Sequence, residues 1–104
     1  MKKWKVIFAV GCGLIVAACG DESAAQKAVR ASLKDPDSAK FGKSTFVKGA
    51  KGASYACLTV NSKTSMGGYA GDEQALLIKS KDEWKVLGIQ DFSHERCVSV
   101  GLQN

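Results

Sequence analysis

The chain has 104 residues, enough for one small domain and too few for two sizeable cores. It carries 15 basic and 10 acidic residues, a formal net charge of +5, and its basic residues are not interleaved with aromatic ones. We therefore predict no nucleic-acid partner. His94 is the only histidine, the acidic residues are scattered, and no metal-ligand cluster or cofactor motif occurs. These absences predict no metal, no cofactor and no enzyme.

Residues 1–18 have the organisation of a secretory signal peptide. Residues 1–5 are basic, and residues 6–18 form an uncharged apolar stretch that ends in small residues. A transmembrane helix needs about 20 apolar residues, and charged residues begin again at Asp21. We therefore predict that residues 1–18 are cleaved off rather than retained as a membrane span.

The end of this stretch, Val16-Ala17-Ala18-Cys19, resembles the lipobox of bacterial lipoproteins. In that family the cysteine thiol receives a diacylglycerol, with fatty acids such as palmitate, and the chain is cut just before it. The resemblance implies a lipidation site at Cys19 and a membrane partner for the anchor. Gly20, rather than aspartate, follows the cysteine, which favours the bacterial outer membrane, facing the periplasm, over the inner membrane.

The same resemblance divides the chain and its cysteines. It gives a signal peptide at 1–18, a lipidated tether at 19–23 and a single domain at 24–104. Cys12 is lost with the signal, so Cys57 and Cys97 remain and are expected to pair in an oxidising compartment. Closing a loop of about forty residues stabilises the fold by roughly 4 kcal/mol on the chain-entropy argument. A redox-active pair or metal ligation is the alternative, although the two do not form a C-x-x-C motif.

A helix is predicted directly after the tether. Ser23 and Gln26 form a capping-box pattern, and apolar residues, mostly alanine, recur at helical spacing up to Leu33. Pro36 is expected to end the helix because the residue before a proline avoids the α region. A helix lying on the membrane is the alternative, but the apolar side has no tryptophan or phenylalanine.

The pattern then changes to strands, predicted at 41–48, 54–60, 74–79 and 83–89. In the second, Tyr55, Cys57 and Thr59 alternate with residues of the opposite face, and in the fourth Leu87 and Ile89 are expected to share one face. A short piece around 97–100 is expected to be tied back to the second strand by the disulfide. The predicted fold class is α+β, with one N-terminal helix packed on an antiparallel sheet of four or five strands.

Two further stretches together resemble a group of small bacterial and prophage proteins, many with lipoprotein signals. They are LKDPDSAKF at 33–41 and CLTVNSKTSMGGYAG at 57–71. The group carries LKDP(D/E)SAxF and CxxVNxKNxxGGYxG, so Thr64 stands where asparagine is usual. Because the group has no agreed molecular activity, the resemblance implies a shared fold and little more.

The glycine-rich stretch is the candidate binding loop. Its glycines permit positive φ and close backbone approach, and no glycine-lysine-serine/threonine step leads into a helix as in a phosphate loop. A plain hairpin with unusual turns is the alternative to a recognition loop. The candidate binding residues are Asn61, Lys63, Met66, Gly67, Gly68, Tyr69 and Gly71.

These features predict a lipid-anchored envelope protein that binds an envelope or periplasmic protein. For a prophage protein, exclusion of a second infecting phage (superinfection exclusion) is one such role. The alternative is an inhibitor of a periplasmic enzyme such as lysozyme, because residues 52–55 faintly resemble a loop of small lipoprotein inhibitors. A structural role at the outer membrane without a discrete ligand is a third.

Overall fold

The computed structural model describes residues 20–104, so the predicted signal peptide and Cys19 lie outside the described residues. Within them, two helices lie on opposite faces of a four-stranded antiparallel sheet, and the strands follow one another in the order β1-β2-β3-β4. The elements are α1 (20–31), a 3₁₀ turn (Pro36–Ser38), β1 (Lys40–Lys48), β2 (Ser54–Asn61), β3 (Glu73–Ser80), β4 (Glu83–Gln90) and α2 (His94–Gln103). The predicted α+β class is confirmed.

Helix α1 covers the first face of the sheet with small apolar side chains. Ala25 and Val29 lie one helical turn apart and are completely buried. They pack on a cluster formed by alternate strand residues: Ala56, Leu58, Val60, Ala75, Leu77 and Trp84. The end of the helix is joined to β1 by the Arg30 guanidinium, which lies 5.0 Å from the centroid of the Phe41 ring. The buried residues Ala56, Leu58 and Val60 all face α1, which confirms the predicted alternation of β2.

Helix α2 covers the opposite face and is held by a covalent bond. The Cys57–Cys97 disulfide joins the helix to β2, and both residues are fully buried. The predicted disulfide is confirmed. Gly101 permits close packing, because a Cβ atom at this position would lie 3.2 Å from the Tyr55 Cβ and 3.2 Å from the Val47 Cγ2.

The C-terminal segment differs from the sequence prediction because it forms a helix. Ser93 caps this helix: its hydroxyl accepts a hydrogen bond from the Arg96 amide at 3.1 Å. Glu95 in the first turn favours the same conformation through the helix dipole. The alternation of Val98 and Val100 with polar neighbours obscured this helix in the sequence.

Helix α1 also has different ends from those predicted. Residues 20–23, assigned to the tether from the sequence, are helical, so Ser23 lies inside the helix and is not its N-cap. The helix stops at residue 31 in a tightened turn, in which the Ser32 amide bonds the Val29 carbonyl. Pro36 instead opens the 3₁₀ turn, where its missing N–H costs nothing.

A β-bulge in β4 explains why the predicted faces of Leu87 and Ile89 differ from those observed. Leu77 pairs with Val86 whereas Leu76 pairs with Gly88, so Leu87 is an extra residue on its strand. Beyond it the alternation reverses, and Ile89 packs against the α1 side of the sheet. The expectation that Leu87 and Ile89 share a face is therefore wrong.

No helix within residues 20–104 is long and apolar enough to cross a bilayer.

Candidate functional site

The candidate binding loop, residues 61–71, is held by its own hydrogen bonds. At its base the Asn61 Oδ1 accepts a bond from the Gly71 amide at 3.0 Å. Further bonds run from the Ala70 amide to the Ser62 carbonyl (3.1 Å) and from the Thr64 amide to the Gly68 carbonyl (2.8 Å), with a β-bridge between Lys63 and Tyr69. The loop therefore continues the β2–β3 hairpin as a narrow arm, as the hairpin interpretation requires.

The tip of the arm is a tight turn with an exposed apolar side chain. Gly67 has φ of +92°, a conformation that residues with a side chain rarely adopt. The Thr64 hydroxyl accepts a bond from the Met66 amide at 3.2 Å, so the residue that replaces the group's usual asparagine supports the turn. The Met66 side chain is 92% exposed. The turn thus presents an apolar side chain to solvent.

The arm is also fastened to the 3₁₀ turn before β1, through Ser38. The Ser38 hydroxyl accepts a bond from the Lys63 amide at 2.8 Å, 25 residues away in sequence, and donates one to the Asp35 carbonyl at 2.7 Å. The Tyr69 hydroxyl donates to the Ser38 carbonyl at 3.2 Å. The two stretches that resemble the prophage group are therefore in direct contact.

Tyr69 carries two cationic neighbours. The Lys40 Nζ lies 4.7 Å and the Lys63 Nζ 5.8 Å from the centroid of its ring. Such contacts stabilise an ammonium group by about 0.5–1 kcal/mol at an exposed site. The ring is 42% exposed, so an aromatic edge and two ammonium groups lie together at the surface. This group of three residues is called the Lys–Tyr–Lys cluster below.

Six of the seven predicted loop residues divide into two sets, and Gly68 belongs to neither. Asn61, Gly67 and Gly71 shape the backbone, Gly71 with φ of +99°. Lys63, Met66 and Tyr69 present side chains at the surface, and a Cβ at Gly68 would meet no neighbour within 4 Å. The first set fits the hairpin interpretation, and the second set contains the side chains that a recognition loop would use.

The arm and the first described residues of α1 lie at opposite ends of the sheet. The Lys79 Nζ, near the end of β3, forms an ion pair at 3.0 Å with the Asp21 Oδ1 at the start of α1. Strand β2 runs from that end to Asn61, and its eight residues span about 26 Å at 3.3 Å per residue. The arm thus projects from the end of the domain most distant from Gly20.

A polar network around His94 was not predicted from the sequence. The His94 Nδ1 donates to the Gln74 Oε1 at 2.8 Å, so the Nε2 of the neutral ring accepts from the Thr45 hydroxyl at 2.7 Å. Thr59 also donates to the Gln74 Oε1, at 3.0 Å. The sequence signal that could have indicated this network is the set of polar residues on three neighbouring strands, namely Thr45, Thr59 and Gln74.

Burial lowers the pKa of His94, and the positive charge of Lys43 lowers it further, while Glu95 opposes the shift. The network joins the first turn of α2 to β1, β2 and β3, and its one hydroxyl beside the Nε2 of the imidazole, that of Thr45, is partly buried. Within residues 20–104, no three His, Cys, Asp or Glu side chains come together as metal ligands. We assign the network to the packing of α2.

Tyr55 and two shallow clefts are weaker candidates for a binding site than the arm. Tyr55, in the stretch that suggested an enzyme inhibitor, is only 8% exposed and lies under Gly101 of α2. A shallow cleft of about 480 Å³ lies between α2 and β4, lined in part by Leu87, Phe92 and Arg96. A smaller one of about 320 Å³ lies at the base of the arm.

The chain matches no protein-family model, no curated protein and no solved structure. Its function is therefore inferred from the lipobox-like sequence and from the geometry of the arm.

Proposed function

We propose that this protein is a lipid-anchored component of the bacterial envelope that binds a partner protein through the 61–71 arm. The anchor is inferred from the sequence 16–19, which lies outside the described residues. The binding role is inferred from the arm itself.

The observation that carries the proposal is the position of the pre-formed arm. It lies about 26 Å along the sheet from the start of α1, which directly follows the proposed lipidation site at Cys19. With the anchor in the membrane, the arm would point away from the lipid and towards other envelope proteins. This orientation favours a protein partner over a lipid ligand.

The surface of the arm suits protein recognition. Its backbone is already ordered by hydrogen bonds, so binding would cost little conformational entropy. Met66 offers a flexible apolar contact, and Tyr69 adds an aromatic surface with a polar end. The nearby cleft of about 320 Å³ is open and shallow, which suits a protein surface better than a small molecule.

Photo-crosslinking in cells tests the binding role. A benzophenone amino acid replaces Met66 in the full chain, and a second strain carries it at Lys81, an exposed residue at the opposite end of the sheet. We expect a discrete protein adduct from position 66 that position 81 does not give. The same adduct from both positions, or none from position 66, would contradict the proposal.

Labelling with radioactive palmitate tests the anchor. The full chain should incorporate the label and the Cys19→Ala variant should not. The Cys12→Ala variant is the matched control, because Cys12 lies in the segment that is expected to be removed. Equal labelling of the Cys19→Ala variant and the unaltered chain would exclude lipidation at Cys19.

A further inference from the structure

We infer that the Lys–Tyr–Lys cluster receives carboxylate groups, so that the partner presents an acidic segment to the arm. This inference rests on the proposed function and adds the chemistry of the partner. It follows from the charges of the cluster, from how its groups are held, and from where it lies.

The cluster holds two positive charges that the protein leaves unpaired. Both Lys40 and Lys63 direct their ammonium groups at the Tyr69 ring, at 4.7 and 5.8 Å from its centroid. Among residues 20–104 the Lys79–Asp21 contact is the only ion pair, so no described carboxylate pairs with either lysine. Asp37 and Asp72 are near in sequence but not at ion-pairing distance. Two like charges beside one ring repel each other, and a carboxylate from a partner would relieve that repulsion.

The backbone of the cluster and the Tyr69 ring are held in place before any partner arrives. The Lys63 amide is bonded to the Ser38 hydroxyl and the Tyr69 hydroxyl to the Ser38 carbonyl. The Lys40 backbone belongs to β1, where it pairs with Asn61 at the base of the arm. Because the backbone is already ordered, binding would have to order only the two lysine side chains.

The neighbouring surface indicates the kind of acidic ligand. Met66 lies on the same arm and is 92% exposed, so a segment with both acidic and apolar residues fits better than a small anion. An anionic lipid surface would offer negative charge too. The cluster, however, lies at the end of the sheet opposite the start of α1, which favours an acidic protein segment.

A peptide titration tests this chemistry. The full chain in a non-ionic detergent is titrated with a labelled peptide of glutamate and leucine, and with a matched peptide in which glutamine replaces glutamate. We expect the acidic peptide to bind and the Lys40→Gln/Lys63→Gln variant to bind it about fivefold more weakly. Raising the salt from about 20 to 200 mM should weaken binding in the same direction because it shortens the Debye length.

A matched double variant controls for net charge. Lys51→Gln/Lys85→Gln removes two exposed lysines away from the arm and should leave the affinity unchanged. Equal weakening by the two double variants, equal binding of the glutamine peptide, or no binding of the acidic peptide would each overturn the inference. So would phosphatidylglycerol vesicles that bind the cluster more tightly than the peptide.

The crosslinking experiment separates this inference from the proposed function. If the adduct from position 66 persists in the Lys40→Gln/Lys63→Gln chain at its normal level, the arm binds a partner but not through these charges. If no adduct forms in the chain whose only change is the benzophenone at position 66, the binding role itself fails.

Discussion

The two helices are attached to the same sheet by different chemistry. Helix α1 is held by interlocking apolar side chains such as Val29 and Leu58, both of them completely buried. Helix α2 is held by the Cys57–Cys97 disulfide, a close approach at Gly101 and the polar contacts of His94. The first attachment is a small hydrophobic core, and the second compensates for a face that offers little apolar surface. A domain of this size commonly needs such a covalent link.

Removing the disulfide should have the largest effect and should act mainly on the α2 side. The Cys57→Ala/Cys97→Ala variant is expected to lose about 4 kcal/mol of unfolding free energy, since its unfolded chain is no longer constrained. Urea denaturation measures the loss, and hydrogen exchange should show α2 losing protection before α1. A reducing agent should destabilise the unaltered protein and leave the double variant unchanged. Equal loss of protection in both helices would contradict the comparison.

Removing apolar volume from the opposite face should cost slightly less. Leu58 is fully buried beneath α1, so Leu58→Ala is expected to destabilise the fold by about 3 kcal/mol through the cavity that it leaves. Urea denaturation gives the value. Leu87→Ala is the control, because Leu87 is 56% exposed and should matter little. Similar losses for the two variants would mean that the α1 side is not the main core.

Local periodicity was enough to predict both faces of β2 but not those of β4, nor the helix α2. Along β2 the alternation of Ala56 and Leu58 with Cys57 placed each residue on its observed face. That reasoning failed beyond Val86, because the bulge at Leu87 leaves no signal in a pattern of single residues. Alternating β-branched residues are also poor evidence for a helix, so α2 was missed.

The glycines identified the candidate loop in the sequence, but the hydrogen bonds that hold the loop in shape were not predicted. Asn61 and Tyr69 were selected as binding residues from the sequence alone. Their bonds to Gly71 and Ser38 show that both also hold the arm in shape. The Ser38–Lys63 contact spans 25 residues, a separation at which spacing in one sequence carries no information.

The 61–71 arm lies outside the two regions where the helices attach to the sheet. Substitutions within the arm should therefore affect stability according to their own local contacts. Asn61→Ala removes the acceptor of the Gly71 amide and is expected to cost about 1 kcal/mol. Met66→Ala removes an exposed side chain and should change stability by less than about 0.5 kcal/mol. Denaturation curves of the two variants measure the difference. A loss for Met66→Ala as large as that for Asn61→Ala would show that the tip is structural, which would weaken the binding proposal.

Acid should weaken the attachment of α2 through His94. The pKa of this side chain is lowered in the folded protein, so the unfolded chain takes up a proton at higher pH than the folded one. The unfolding free energy contributed by His94 is therefore fully present above pH 6.5, the ordinary value, and falls as the pH drops towards the lowered pKa.

Urea denaturation at a series of pH values from about 7.5 to 5 tests this linkage. The matched comparison is His94→Gln, which has no group that titrates in this range, so the difference between the two proteins isolates the histidine. We expect the unaltered protein to lose more stability on acidification than the variant, with α2 losing hydrogen-exchange protection first. Parallel pH profiles would mean that the network around Gln74 accommodates the protonated ring, whose Nδ1 can keep its bond to the Gln74 Oε1 while Thr45 turns its hydroxyl to accept. In that case the polar contacts of His94 would hold α2 in both protonation states, and the attachment of this helix would not depend on pH.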